Sequence, residues 1–107
     1  MVRYPGLPTH LTHSAARAFM RSYGAMISFD ICGDAARADA ICESLQIIRH
    51  ATSLGSVETT IERRAAIPGQ AHLPPSLLRL GVGCEKVEDL WSDLDSALHG
   101  SGLIALR

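Results

Sequence analysis

The sequence predicts an α+β domain in which helices pack on one face of a small, mostly antiparallel sheet. Two stretches, 25–32 and 77–83, alternate between apolar and other residues as half-buried strands do. Two others, 38–45 and 87–98, repeat apolar residues at helical spacing. The length of 107 residues fits one domain, and we therefore treat 1–107 as a single unit.

The first elements along the chain are a helix and a strand. Residues 1–9 contain two prolines and a glycine and predict an irregular segment. Thr9 or Thr12 could cap a helix that runs to about Arg21. The strand at 25–32 then places Ile27 and its alternate neighbours on one buried face.

The middle of the chain predicts a second helix and a second strand. Asp34 is a good N-cap for a helix whose apolar stripe consists of Ala38, Ile41, Cys42 and Leu45. The run from Leu45 to Ala51 contains two adjacent isoleucines and is typical of a short strand. For residues 57–66 the pattern fits either an extended segment or one or two helical turns.

The last two elements are a strand and the most regular helix. In the strand at 77–83, Leu78 and its alternate neighbours share one face, while Arg79 shares the other with two glycines, Gly81 and Gly83. The helix begins near Lys86, and its apolar stripe consists of Val87, Leu90, Trp91, Leu94 and Leu98.

Composition excludes several function classes. The 10 basic and 11 acidic residues give a net charge of −1, which argues against a strongly basic nucleic-acid binder. No apolar run is long enough to cross a bilayer, and the first residues lack the apolar core of a secretory signal. The three cysteines form no CxxC pair, and His10 and His13 have no third ligand nearby, so we expect no metal site. A reducing cytoplasm is the simplest compartment.

Arg79 is the side chain with the clearest chemical interest. It lies inside an otherwise apolar strand, where a guanidinium must pair with another group or face solvent. The two glycines on its face would leave room for bidentate contact with a carboxylate. The alternative is an arginine on a plain solvated face, and periodicity alone favours neither interpretation.

Several motifs in order resemble a known enzyme family. They are VRYPGL at 2–7, GAMISF at 24–29, ATSLGSVET at 51–59, LLRLGVGCE at 77–85 and VEDL at 87–90. Together they cover nearly all of residues 1–99 and resemble the C-terminal domain of the pyridoxal-phosphate-dependent Cys/Met metabolism enzymes. That family includes cystathionine γ-synthases and γ-lyases, methionine γ-lyases and the homoserine-ester sulfhydrylases.

The resemblance implies roles for three residues. Arg79 matches the arginine that binds the α-carboxylate of the amino-acid substrate, and Ser53 matches the serine that helps to hold it. Thr52 matches the residue that faces the distal part of the substrate. The chain departs from the family at Gly81, where serine is usual, and at 67–69, where Met-Thr-His is common.

The resemblance also implies that part of the enzyme is absent. In the family, the lysine that forms the Schiff base with pyridoxal phosphate lies in a large N-terminal domain, as do the other cofactor-binding residues. The sole lysine here, Lys86, matches a position at the start of the final helix. We therefore expect this chain to contain no catalytic residue, to bind no cofactor alone and to be inactive alone. Its expected partners are the missing large domain or further copies of itself. The alternative function is therefore a standalone module, derived from such an enzyme, that associates with itself or docks onto a partner.

Overall fold

The computed structural model describes residues 1–52 and 55–100. The helices are α1, His13–Phe19, α2, Ala35–Ser44, and α3, Val87–Gly100, with a short 3-10 turn at Arg64–Ala66. The strands are β1, Val2–Arg3, β2, Met26–Asp30, β3, Arg49–His50, β4, Thr60–Arg63, and β5, Leu77–Gly81.

The strands form one sheet in the order β1-β2-β5-β4-β3. The pairings β1–β2, β2–β5 and β4–β5 are antiparallel, and β3 pairs parallel to β4 at the edge. The predicted α+β class with a mostly antiparallel sheet is therefore confirmed. Because β5 is central, its residues lie between partners on both sides, and Arg79 lies between Ser28 of β2 and Glu62 of β4.

The two sheet faces differ sharply in chemistry. One face presents Ile61, Leu78 and Leu80 to the buried residues of α2 and α3, which include Ile41 and Leu90. Burial of this apolar surface is the main source of stability for the domain. The opposite face carries the alternate residues of the same strands, which are mostly polar or charged.

The helix limits follow local chemistry. Asp34 caps α2 as predicted, because its Oδ1 accepts the backbone N–H of Arg37 at 3.0 Å. The α1 helix is shorter than the predicted segment: it follows Thr12, whose side chain makes no capping hydrogen bond, and it stops at Phe19. In the described ranges, no helix is long and apolar enough to cross a membrane.

Two expectations about elements need correction, and one open alternative is resolved. The run from Leu45 to Ala51 contains only two strand residues, because the backbone before them turns to hydrogen-bond with a side chain of α3. The segment at 57–66 resolves into β4 followed by the 3-10 turn. On α3, Val87 and Trp91 are 70% and 65% exposed. The predicted apolar stripe of this helix is therefore wider than the surface that α2 and the sheet cover.

Candidate functional site

Arg79 lies in the middle of β5 on the face opposite α2 and α3. Its side chain is 19% exposed. The Nη2 atom lies 2.6 Å from Oε1 of Glu62 and donates to the carbonyl oxygen of Thr52 at 2.9 Å. Arg79 is therefore not on a plain solvated face, since a cross-strand carboxylate and a loop carbonyl fix one end of its guanidinium.

Glu62 is the buried acidic group beneath this site. Its side chain is 3% exposed, and its Oε1 also accepts Nη1 of Arg64 at 2.7 Å. Its other oxygen, Oε2, is buried and has no hydrogen-bond partner among the described residues. Removing an arginine from a buried carboxylate leaves a costly unpaired charge, so this contact holds Arg79 in place.

The guanidinium of Arg79 retains donors for another group. In the part of the chain that the structure describes, both of its polar contacts use Nη2. A guanidinium has five N–H donors in a planar fork, and the edge formed by Nε and Nη1 matches the two oxygens of a carboxylate. The arrangement can therefore bind a carboxylate while Glu62 keeps its own contact.

The two glycines on this face have different surroundings. A Cβ on Gly81 would make ordinary contacts, 3.4 Å from Oγ1 of Thr60 and 3.5 Å from Cε of Met26. A Cβ on Gly83 would overlap the carbonyl oxygen of Val57. The expectation that both glycines leave open space is therefore wrong for Gly83, which instead permits close packing of two backbone segments.

Thr52 lies in the loop between β3 and β4, and Ser53 follows it in the sequence. The structure places the Thr52 carbonyl, rather than its exposed side chain, on Arg79. Ser53 lies outside the described residues, and its role stays a prediction. The roles of Thr52 and Arg79 toward a substrate also stay predictions.

The end of this loop is fixed by a polar contact with the segment after β5. The buried Thr59 donates its hydroxyl to Oε1 of Glu85 at 2.7 Å and its backbone N–H to Oε2 at 3.0 Å. The same hydroxyl accepts the N–H of Gly83 at 2.8 Å. The hydroxyl and backbone N–H of Thr59 lower the pKa of the Glu85 carboxyl. These bonds tie the β3–β4 loop to β5.

The groups around Arg79 do not suit a pyridoxal phosphate site. A Schiff base needs an amine, and the groups that contact Arg79 are a carboxylate and a carbonyl. The sole lysine, Lys86, is exposed just before α3, where its carbonyl accepts the N–H groups of Asp89 and Leu90. In the described ranges, no group of three His, Cys, Asp or Glu residues could hold a metal ion. His13 instead lies with its Nδ1 2.7 Å from the carbonyl of Pro5.

Sequence reasoning missed Glu62 and Arg64. The sequence contained a strand signal for Glu62, because Thr60, Ile61 and Glu62 alternate between polar and apolar residues. Arg63 breaks this alternation. Without a decision between strand and helix for 57–66, the face of Glu62 could not be assigned.

Comparisons with known proteins identify the family. A family model described as "Cys/Met metabolism PLP-dependent enzyme" matches residues 1–99. The chain belongs to this family. The predicted resemblance is thereby confirmed.

Named relatives within the family differ in their activities. The chain is 38% identical over 103 residues to a cystathionine gamma-synthase of Mycobacterium tuberculosis, covering 91% of this chain and 26% of that protein. It is 37% identical over 107 residues to an L-methionine gamma-lyase of Fusobacterium nucleatum, covering 92% and 27%. A crystal structure of metB from Corynebacterium glutamicum superposes with a TM-score of 0.87 at 37% identity, covering 94% and 28%. The chain thus spans about a quarter of the length of these relatives.

Proposed function

We propose that this chain is the substrate-carboxylate-binding domain of a cytoplasmic pyridoxal-phosphate-dependent enzyme of the cystathionine γ-synthase or γ-lyase type. The complete enzyme would be a C–S lyase or a γ-replacement transferase of sulfur amino-acid metabolism. The observation that carries this proposal is Arg79, a largely buried guanidinium fixed at one end and supplied with further donors at the other.

Arg79 would act by orienting the substrate. Its Nε and Nη1 would donate to the two oxygens of an α-carboxylate, and the contacts with Glu62 and the Thr52 carbonyl would hold the fork in position beforehand. Preorganisation of this kind reduces the entropy lost when a ligand binds. Ser53 would add a donor to the same carboxylate, and the Thr52 side chain would face the distal part of the substrate.

The cofactor would be held by residues outside this chain. Among the described residues, the groups that contact Arg79 are a carboxylate and a carbonyl and include no amine, so these groups would supply no Schiff-base chemistry. We propose that the chain alone binds no pyridoxal phosphate and has no activity.

The cofactor proposal is tested by adding pyridoxal phosphate to the purified chain. The visible absorption band is recorded, the sample is reduced with borohydride, and an intact mass is taken. We expect no specific adduct and no turnover of cystathionine. A stoichiometric adduct on Lys86, or turnover at the level of a purified enzyme, would show that this chain holds a cofactor site of its own.

A docking module derived from such an enzyme is the second candidate. Large apolar side chains are exposed on the described surface, among them Leu11 at 100%, Phe19 at 79% and Trp91 at 65%. Exposed apolar surface favours association with a second copy or with the large domain of a complete enzyme of this type. Size-exclusion chromatography with light scattering over a range of concentrations tests self-association, and a monomer at every concentration would argue against it.

A further inference from the structure

Two arginines share one oxygen of a buried carboxylate. Arg79 from β5 and Arg64 from the 3-10 turn after β4 lie 2.6 Å and 2.7 Å from Oε1 of Glu62. Their side chains are 19% and 26% exposed, whereas Glu62 is 3% exposed. The two cations are therefore held close together at a surface that a ligand can reach.

The charges in this cluster do not balance. Among the described residues, two guanidiniums pair with one carboxylate, which leaves one excess positive charge. Like charges that share a partner repel each other, and the repulsion is stronger near a protein interior than in bulk water. A single bound anion would neutralise the cluster.

The hydrogen-bond donors are also in excess. In the described ranges, the polar contact of Arg64 uses Nη1 alone, and the contacts of Arg79 use Nη2 alone. The Nε atoms and one terminal nitrogen of each arginine are thus available to a ligand. The Oε2 atom of Glu62, which has no hydrogen-bond partner in the described part of the chain, is buried, so it offers no acceptor to an incoming group.

We propose that Arg64 and Arg79 form a two-arginine site that binds one carboxylate group. This inference rests on the proposed function, because it assigns Arg64 as a second cation for the carboxylate that Arg79 holds. Glu62 acts as a positioning residue, since its Oε1 sets the separation of the two guanidiniums. Arg64 directly follows β4, so the pairing of β4 with β5 brings it to this face.

The neighbouring arginines provide contrasts. Arg63, one residue earlier, turns to the helix face and pairs with Asp39 at 2.8 Å. Arg49 pairs with Glu58 at 2.8 Å, and both side chains are largely exposed. A substitution of Arg49 therefore removes one positive charge and one arginine–glutamate pair without touching the proposed site, which makes it the matched control.

The test is a titration of the full chain with acetate at constant ionic strength. The arginine Nε–Hε signals and the backbone amide signals in NMR spectra monitor binding. Acetamide, which has the same shape and no charge, serves as the ligand control. We expect acetate to shift the Arg64 and Arg79 signals with a dissociation constant between about 1 and 100 mM. Arg64→Gln should weaken binding about threefold to fivefold, and Arg79→Gln at least about tenfold. Arg49→Gln should leave binding unchanged, and Arg64→Lys should restore part of the loss.

The outcomes separate the inference from the proposed function. If Arg64→Gln binds acetate as tightly as the wild type while Arg79→Gln binds it more weakly, the role of Arg64 is wrong and that of Arg79 stands. If Arg79→Gln binds normally, the carboxylate role of Arg79 is wrong. No acetate-specific shift up to about 100 mM would overturn the two-arginine site in this chain. Unchanged amide signals from the core show that each variant is folded.

Discussion

Asp93 on α3 provides the sharpest test of how the helix layer is attached to the sheet edge. Its carboxylate accepts the backbone N–H groups of Gln46, Ile47 and Ile48 at 2.9, 2.8 and 2.8 Å. These three donors follow the end of α2 and lead directly into β3. Replacing Asp93 with Asn keeps the shape and removes the charge and one acceptor oxygen.

The structure sets the size of the effect. An amide oxygen could retain two of the three N–H groups as a neutral acceptor, while the third would face an NH2 group. Losing one hydrogen bond and the charge assistance of two others costs about 3 kcal/mol at most. Because the site is partly exposed, water recovers some of this, and we expect Asp93→Asn to lower the unfolding free energy by about 1.5 kcal/mol at pH 7. The corresponding fall in Tm is roughly 5–10 °C.

The same site predicts a pH dependence with a defined sign. Burial raises the pKa of Asp93, but the three backbone N–H groups outweigh it, and the pKa in the folded chain is lowered. A carboxyl with a lowered folded pKa contributes stability above its unfolded pKa of about 3.9, and loses it as pH falls through the folded value. The difference between the wild type and Asp93→Asn should therefore shrink below about pH 4.

Urea unfolding followed by circular dichroism measures both effects. Asp89→Asn is the matched control, because Asp89 is exposed one turn earlier on the same helix and should cost no more than about 0.5 kcal/mol. If Asp93→Asn lowers the free energy of unfolding at pH 7 no more than Asp89→Asn does, the three hydrogen bonds do not stabilise the fold.

Three further predictions concern other parts of the fold. Gly83→Ala should lower the free energy of unfolding by more than about 2 kcal/mol, because its Cβ would overlap backbone atoms of the β3–β4 loop. In the same urea assay, Gly81→Ala should lower it by less than about 1 kcal/mol. Glu85→Gln should speed amide hydrogen exchange at Thr59, whose N–H the carboxylate accepts. In the wild type, exchange at Thr59, corrected for the intrinsic rate, should also become faster as pH falls through the lowered pKa of Glu85. Burial raises the pKa of the Cys42 thiol to about 12. Iodoacetamide at pH 8 should therefore alkylate the two exposed cysteines and leave Cys42 unmodified, as measured by intact mass. In urea, all three cysteines should be alkylated.

The fold could be predicted from sequence wherever one local signal dominated. Alternation identified β2 and β5, and Asp34 together with a helical stripe identified α2. The signals failed where tertiary contacts decide the backbone: β1 and β3 have only two residues each, and they exist because a longer strand pairs with them. The 65% exposure of Trp91 depends on which part of α3 the neighbouring elements cover, and no local pattern reports that.

The candidate site was only partly visible in the sequence. Arg79 stood out because a charge inside an apolar strand needs a partner. The partner, Glu62, lies 17 positions away in a segment whose pattern was ambiguous. Its assignment required the register of β4 against β5, and Arg64 could be placed only after that strand had a defined end.

The α-carboxylate of an amino-acid substrate is the proposed ligand of Arg79. The most direct measurement uses a chimera in which residues 1–99 replace the matched segment of the cystathionine gamma-synthase of M. tuberculosis. In an active chimera, Arg79→Gln should raise KM for the amino-acid substrate at least about tenfold with a smaller change in kcat, because the contact is made before and during the reaction. Arg49→Gln should leave both constants unchanged. A KM for Arg79→Gln equal to that of the unsubstituted chimera would contradict the assignment of Arg79.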